Sequence, residues 1–176
     1  MRHSGLILFF GVMVLTMRCT DATEYSNASY RNATDLHFQV AASYDNFDEI
    51  GTGSLASANA SDSSVRLFGQ TMVTGYSAAE SELKKITDSV QAIIPQGSDP
   101  AHQALLVVLQ KLSGAAFDTT YLRGQLQDHD SSITLYQSEL TNGNYISLLQ
   151  YARKYLVLLQ MQRMTADSLL RAIQHP

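Results

Sequence analysis

The chain has 176 residues, of which 45% are hydrophobic and 16% charged, and its formal net charge is −4. This length suits one domain, and the acidic balance argues against a nucleic-acid-binding protein, which needs a basic surface. Cysteine occurs once. An internal disulfide framework and a cysteine-based zinc cluster are therefore excluded, because each requires several thiols.

Residues 1–18 have the pattern of an export signal. A basic start is followed by an almost unbroken apolar run of ten residues, from Leu6 to Leu15. A membrane-spanning helix needs about 20 apolar residues, so this run matches the hydrophobic part of a secretory signal instead. Removal of the segment takes away two arginines and no acid, which changes the net charge from −4 to −6. We predict an exported protein of the periplasm or the outer membrane.

Cys19 closes this segment, at the position where a bacterial lipoprotein is cleaved and acylated. The preceding Met17 and Arg18 depart from the small residue that a lipoprotein signal normally has before its cysteine. The pattern favours a lipid anchor at Cys19 that makes the membrane a partner. The alternative is an ordinary signal peptide with an incidental thiol. Residues 19–34 are rich in Ser, Thr, Asn and Asp and predict a flexible tether.

Residues 35–174 predict helices in which apolar residues recur at steps of three and four. The first helix, about 35–60, has the weakest pattern, because Gly51 and Gly53 lower its helix propensity and its apolar stripe is ambiguous. The second helix covers about 63–90. It is followed by Ile-Pro-Gln-Gly at 94–97, which ends it.

The second half of the chain predicts two more helices. One begins near Pro100, a residue suited to a first helical turn, and extends to about residue 140, with Ser113-Gly114 as a point of interruption. The last helix, 144–174, has the clearest apolar face. Four long helices with short connections predict an all-α fold, an antiparallel four-helix bundle.

Three polar side chains, Tyr76, His129 and Gln162, lie on the predicted apolar faces of three different helices. An unpaired buried polar group costs about 1–3 kcal/mol, so each is expected to have a partner. One interpretation is a single shared cluster that also includes Glu49 and Asp128. The other is a set of unrelated core residues, each satisfied separately.

Known metal and catalytic patterns are missing from the sequence. No glutamate has a histidine three positions later and no two histidines are four apart, so the di-iron and zinc-protease patterns are not met. Phosphate-binding glycine loops and the Gly-x-Ser-x-Gly elbow are also absent. The sequence therefore predicts no catalytic residue, no metal and no cofactor, and it does not favour an enzyme.

Several motifs, in the same order along the chain, resemble a bacterial exported family known as domain-of-unknown-function family 4142, whose members are described as outer-membrane proteins. The resemblance covers about residues 35–172 and implies a ferritin-like four-helix fold without an established biochemical function. The motifs are Glu49-x-x-x-Gly53-x-Leu55-Ala56, Val65 to Val73, Glu82-Leu83-Lys84, His102 to Leu105, Leu112 to Asp118, Tyr121-Leu122, Asp128-His129 and Met164 to Asp167.

The chain departs from this family at polar positions. Tyr76 and Gln162 stand where the family commonly has histidines, and Val157 stands in place of a proline. Only Asp128-His129 keeps the acid–histidine pair of the family. Tyr and Gln form hydrogen bonds but are not usual metal ligands. The resemblance therefore implies a hydrogen-bonded polar centre more than a metal site.

The sequence favours a non-enzymatic bundle of the cell envelope that acts as a binding or structural module, with an unidentified protein or small-molecule partner. The alternative is a ferritin-like metal-binding or oxidoreductase domain centred on His129. A third interpretation is a small-ligand pocket in which Tyr76, His129 and Gln162 supply the polar contacts.

Overall fold

The computed structural model of the protein describes residues 30–175, which form five helices and, within that range, no strand. The predicted signal segment, Cys19 and most of the predicted tether lie outside the described residues. None of the described helices is long and apolar enough to cross a membrane. The helices are α1 (Ala33–Asn59), α2 (Ser63–Ser89), α3 (Pro100–Leu109), α4 (Gly114–Asn142) and α5 (Ile146–Gln174).

The four long helices confirm the predicted bundle. Helices α1 and α2 form one hairpin and α4 and α5 another, with α1 beside α4 and α2 beside α5. The start of α1 contacts the end of α4, where the Asn32 side chain donates to the carbonyl of Asn142 at 2.8 Å. Because α2 and α4 therefore run in the same direction, the connection between them returns along the bundle and carries α3. One such crossover is typical of ferritin-like folds.

The predicted third helix is two helices in the structure. Helix α3 lies against the edge formed by α1 and α4, and the chain then changes direction before α4 begins. Gly114, at the start of α4, has φ of +59°, a left-handed conformation that glycine adopts without strain. The predicted interruption at Ser113-Gly114 is therefore a true break. Helix α1 begins at Ala33, two residues before the predicted start of the bundle.

The sequence pattern of α1 is ambiguous because its buried face is largely polar. Its buried positions do recur at steps of three and four, as a helix packed on one side requires. Many of these positions hold side chains that hydropathy assigns to the surface. The buried polar residues of α1 are Asp35, Gln39, Ser43, Asn46, Asp48, Glu49 and Thr52.

A buried aspartate connects the start of α1 to the turn between α4 and α5. The Asp35 carboxylate accepts hydrogen bonds from the backbone N–H groups of Asn32 at 2.6 Å, Asn144 at 3.0 Å and Tyr145 at 2.9 Å. Burial by itself would raise the pKa of Asp35, but these three donors outweigh it and lower the pKa below its ordinary value.

A second buried aspartate connects the start of α4 to the turn between α1 and α2, at the opposite end of the bundle. Asp118, in the second turn of α4, accepts hydrogen bonds from the backbone N–H groups of Ser61 and Asp62, both at 2.9 Å. It also accepts one from the hydroxyl of Ser61. Each hairpin thus supplies one carboxylate that holds the turn of the other hairpin.

Glu139 lies next to Asp35 and is completely buried. Burial, together with the adjacent Asp35, raises the pKa of Glu139 to about 8. Neither oxygen of Glu139 receives a hydrogen bond among the described residues, which suits a protonated carboxyl that donates to Asp35. Gly143 leaves the space for it, since a Cβ there would lie 2.5 Å from Glu139 Oε1.

We expect the contribution of Glu139 to the free energy of unfolding to fall as the pH rises from about 4.5 to about 8. Unfolded, Glu139 loses its proton near pH 4.5, whereas folded it keeps the proton up to about pH 8, so the folded state binds more protons across this range. In the variant Glu139→Gln, the side-chain amide would donate to Asp35 at every pH. The melting temperature of this variant, relative to the wild type, should therefore rise between pH 5 and pH 8.5. Parallel pH profiles for the two proteins would contradict this assignment.

Candidate functional site

His129 lies at the centre of the bundle and is completely buried. Its Nδ1 is 2.7 Å from the carbonyl oxygen of Gln125, and because a carbonyl only accepts, Nδ1 carries the proton. Its Nε2 is 3.3 Å from the hydroxyl of Tyr76. Burial lowers the pKa of His129, which makes the neutral ring the stable form. Nε2 is therefore an acceptor, and Tyr76 donates to it.

Gln162, on α5, completes this contact. Its Oε1 lies 3.4 Å from Nε2 of His129, and its Nε2 has no hydrogen-bond partner among the described residues. If the ring of His129 is neutral, its Nε2 and the Oε1 of Gln162 are both acceptors and face each other. Rotation of the Gln162 amide by 180° removes the conflict, because the NH₂ group then donates to His129 and no longer lacks a partner. Tyr76 and Gln162 thus both donate to the same ring nitrogen.

Glu49 joins the group from α1. Its Oε2 accepts a hydrogen bond of 2.7 Å from the Gln125 side chain, and its Oε1 is 3.8 Å from Nδ1 of His129. Burial raises the pKa of Glu49 to about 8, so the carboxyl is protonated at neutral pH. Each long helix thus contributes to one set of contacting polar groups, which we call the His129 centre: Glu49, Tyr76, Gln125, His129 and Gln162.

Asp128 does not belong to the His129 centre, in contrast to the sequence interpretation that grouped them. Adjacent residues of a helix point in different directions, so burial of His129 turns Asp128 towards α3. Its Oδ1 lies 3.5 Å from Nε2 of His102, and about a quarter of its side chain, 24%, is exposed.

His102, on α3, forms a second polar group with three aspartates. Its Nδ1 is 2.8 Å from Oδ2 of Asp99 and 3.1 Å from Oδ2 of Asp48. The hydrogen bond with Asp128, followed by that with Asp99, raises the pKa of His102 to about 10 although burial opposes this. Burial raises the pKa of Asp48 to about 7. We call Asp48, Asp99, His102 and Asp128 the His102 cluster.

Sequence reasoning missed the His102 cluster. No histidine lies four positions from His102 and no glutamate lies three positions before it, so the zinc-protease and di-iron patterns do not select it, although Asp99 lies three positions before it. Asp99 does cap α3, since its Oδ1 accepts from the backbone N–H groups of Ala101 and His102 at 2.6 and 2.9 Å. Asp99, the acid before Pro100, was the signal for this cluster in the sequence. Its contact with Asp48, from a distant part of the chain, depends on where α3 lies.

A largely apolar groove separates α2 from α5 and has a volume of about 320 Å³. Gln162 lines this groove and also contacts His129, so its amide lies between the groove and the buried centre. Leu67 and Met161 leave 63% and 59% of their surface exposed. We call this surface the α2–α5 groove; its lining residues are Ser64, Leu67, Phe68, Thr71, Leu158, Met161, Gln162, Thr165 and Leu169.

Residues 20–169 match the sequence pattern of a family described as Domain of unknown function (DUF4142). The protein belongs to this family. Its fold is similar to that in a crystal structure of a DUF305 fragment from Deinococcus radiodurans, with a TM-score of 0.72 and 11% sequence identity. The similarity covers 81% of this chain and 98% of the fragment, and at this identity it shows the fold alone. No curated protein matches the sequence.

In this DUF4142 protein, we expect His129→Leu to destabilise the fold by about 2 kcal/mol. Leucine leaves the Tyr76 hydroxyl and the Gln162 amide buried without their shared acceptor, and each such loss costs about 1–3 kcal/mol, in part offset by the apolar side chain. Urea unfolding measures the difference. An unchanged or raised stability would mean that His129 is only a tolerated core residue and anchors no network.

Proposed function

We propose that this protein is an exported binding module, anchored to a membrane through Cys19 and without catalytic activity of its own, and that it binds its ligand in the α2–α5 groove. The groove carries the proposal. Its wall is mostly apolar, and Gln162 offers an amide within it. Concave apolar surfaces with a few polar groups are typical of small-molecule sites.

The His129 centre supports a binding role more than a chemical one. Both ring nitrogens of His129 are engaged, Nδ1 with a backbone carbonyl and Nε2 with Tyr76 and Gln162. A ligating or proton-transferring histidine needs a nitrogen that a metal ion or substrate can reach, and the His129 ring is completely buried. The alternative, a ferritin-like metal-binding or oxidoreductase domain centred on His129, is therefore the less supported of the two.

The anchor follows from the sequence before the bundle. The apolar run ends at Leu15, and the single cysteine of the chain, Cys19, follows four positions later. Helix α1 begins only at Ala33, which leaves a polar segment between Cys19 and the bundle. Such a segment would let the bundle stand away from the membrane surface. Envelope location, in the periplasm or at the outer membrane, is part of the proposal.

The anchor is tested by metabolic labelling of the full chain with palmitate, with and without globomycin, in a bacterial host. The wild type is expected to incorporate label and to accumulate as precursor under globomycin, and Cys19→Ala to lose both properties. Thr20→Ala, a change at the neighbouring residue, is the matched control and should behave as the wild type. Unchanged processing of Cys19→Ala would disprove the anchor.

The groove is tested with the neutral apolar fluorophore N-phenyl-1-naphthylamine. The wild type is expected to bind it saturably, and Leu158→Gln, which makes one groove wall polar, to bind it at least tenfold more weakly. Val157→Gln is the control, because Val157 is the preceding residue, is 57% exposed and does not line the groove. Equal binding by both variants, or no saturable binding by the wild type, would disprove this assignment of the groove.

A further inference from the structure

The His102 cluster lies on the side of the bundle formed by α1, α3 and α4, away from the α2–α5 groove. Asp48, Asp99 and His102 each offer one donor atom, and these three atoms lie within 4.8 Å of one another. Nδ1 of His102 is 2.8 Å from Oδ2 of Asp99 and 3.1 Å from Oδ2 of Asp48. Atoms that bind one small metal ion at about 2.1 Å lie roughly 3.0–3.4 Å apart, so small side-chain movements would suffice to bind one ion.

Asp48 is the buried carboxylate of this group. Its side chain is only 3% exposed, and its Oδ2 receives no hydrogen bond among the described residues but lies 3.1 Å from Nδ1 of His102, its ion-pair partner when His102 is protonated. Its Oδ1 accepts from the backbone N–H of Asp99 at 3.1 Å, which holds the carboxylate with Oδ2 towards His102. The positive charge that faces this buried oxygen is therefore that of the His102 ring, and a metal ion bound at Nδ1 would take over that role.

The residues around the His102 cluster also favour a bound cation. A cavity of about 120 Å³ borders the cluster, and none of its lining residues is a lysine or an arginine. Four of them are acids: Asp45, Asp48, Glu49 and Asp128.

We propose that Asp48, Asp99 and His102 bind one divalent transition-metal ion, of which Zn²⁺ is the reference case. The ion would take the place of the proton on Nδ1, between the two carboxylates. Asp128 would accept from the N–H on Nε2, the other ring nitrogen, and so orient the imidazole. A carboxylate in this second position is the usual partner of a metal-binding histidine.

The ligand set selects the class of ion. An imidazole with two carboxylates suits Zn²⁺, Mn²⁺ or Fe²⁺ better than Ca²⁺ or Mg²⁺, which favour oxygen ligands alone. Three protein ligands leave at least one coordination position for water or another molecule. His102 and Asp99 are 23% and 29% exposed, so that position would be open to solvent. The site goes beyond the proposed function and does not depend on Cys19.

The experiment measures Zn²⁺ binding to the full chain, purified in detergent, by equilibrium dialysis with elemental analysis. The sharpest variants are Asp48→Asn and Asp99→Asn, because each keeps one side-chain oxygen for its backbone hydrogen bonds and loses the charged ligand oxygen. Asparagine also caps helices as well as aspartate does. His102→Ala removes the nitrogen ligand, and thermal melts confirm that each variant is folded.

Two histidine variants serve as controls: His37→Ala, at an exposed position of α1, and His129→Gln, in the bundle centre. The wild type and both controls are expected to bind one Zn²⁺ per chain, and the three cluster variants to bind at least tenfold more weakly. The proposal is overturned if the wild type binds no stoichiometric Zn²⁺ or if the folded asparagine variants bind as the wild type does. It is also overturned if His129→Gln alone loses the ion.

The same measurement on Cys19→Ala separates the two proposals. Zn²⁺ binding should be unchanged in this variant whether or not the chain is lipidated, and Leu158→Gln should bind Zn²⁺ as the wild type does. Failure of the anchor or of the groove would therefore leave the metal site standing, and failure of the metal site would leave the groove and the anchor standing.

Discussion

Replacement of Gly69 with alanine is expected to destabilise the protein by about 3 kcal/mol. Helices α1 and α2 touch at this position. A Cβ on Gly69 would lie 2.7 Å from the carbonyl oxygen of Gly53, 2.8 Å from the backbone nitrogen of Ser57 and 3.0 Å from Cβ of Ala56. Two of these three atoms belong to the backbone, so the clash is relieved only if the two helices separate along their shared buried face.

Helix propensity opposes this destabilisation, so the control is a helical glycine at which an added Cβ has space. Alanine is favoured over glycine by about 1 kcal/mol inside a helix. At Gly124, in α4, the nearest atoms to an added Cβ are 4.0 Å away, which is ordinary van der Waals contact. Gly124→Ala should therefore stabilise the protein by about 0.5–1 kcal/mol, while Gly69→Ala destabilises it. Urea unfolding measures both. Stabilisation by Gly69→Ala would mean that α1 and α2 do not approach so closely.

Asp118→Ala is the second change with a large expected effect, again a loss of about 3 kcal/mol. The carboxylate is almost fully buried and accepts from two backbone N–H groups and one hydroxyl in the turn between α1 and α2. Alanine leaves all three donors without it, and hydrogen bonds to charged groups contribute about 1.5–3 kcal/mol each before any rehydration by water.

Asp118→Asn should cost less than Asp118→Ala, because the amide keeps one acceptor oxygen. The control is Asp88→Ala, which removes an exposed carboxylate paired with Lys84 four residues earlier in the same helix. Such surface pairs contribute less than about 1 kcal/mol. Equal effects of Asp118→Ala and Asp88→Ala in thermal or urea unfolding would contradict the role of Asp118 as the link between the two hairpins.

The sequence predicted α2 and α5 well, because each buries a regular apolar stripe whose period is visible without a partner. Helix α1 was harder to predict for a physical reason. Its buried positions hold Asn46 and Glu49, whose hydrogen-bond partners lie on other helices, and Asp35, whose partner lies in the turn between α4 and α5. Hydropathy cannot distinguish such a residue from an exposed one, since the difference is made by the partner.

The same reason explains which site residues could be predicted from the sequence. Tyr76, His129 and Gln162 could be singled out because each interrupts an apolar stripe, and the structure places all three in contact. Asp128 adjoins His129 in sequence but faces α3 instead, because a helix turns neighbouring residues apart. Asp99 and His102 are three residues apart and meet at the start of α3, but Asp48 joins them only because α3 folds back on α1.

By itself the sequence determined the class of the fold, the family and the helices whose apolar faces repeat at a helical period, because these depend on local spacing. The tertiary structure alone decided which polar side chains become partners. Helices α1 and α2 approach through two glycines, and α3 leaves the predicted long helix to cover the edge of α1 and α4. Those placements bring carboxylates and a histidine together from distant parts of the chain, and only the summed packing of the helices makes such contacts.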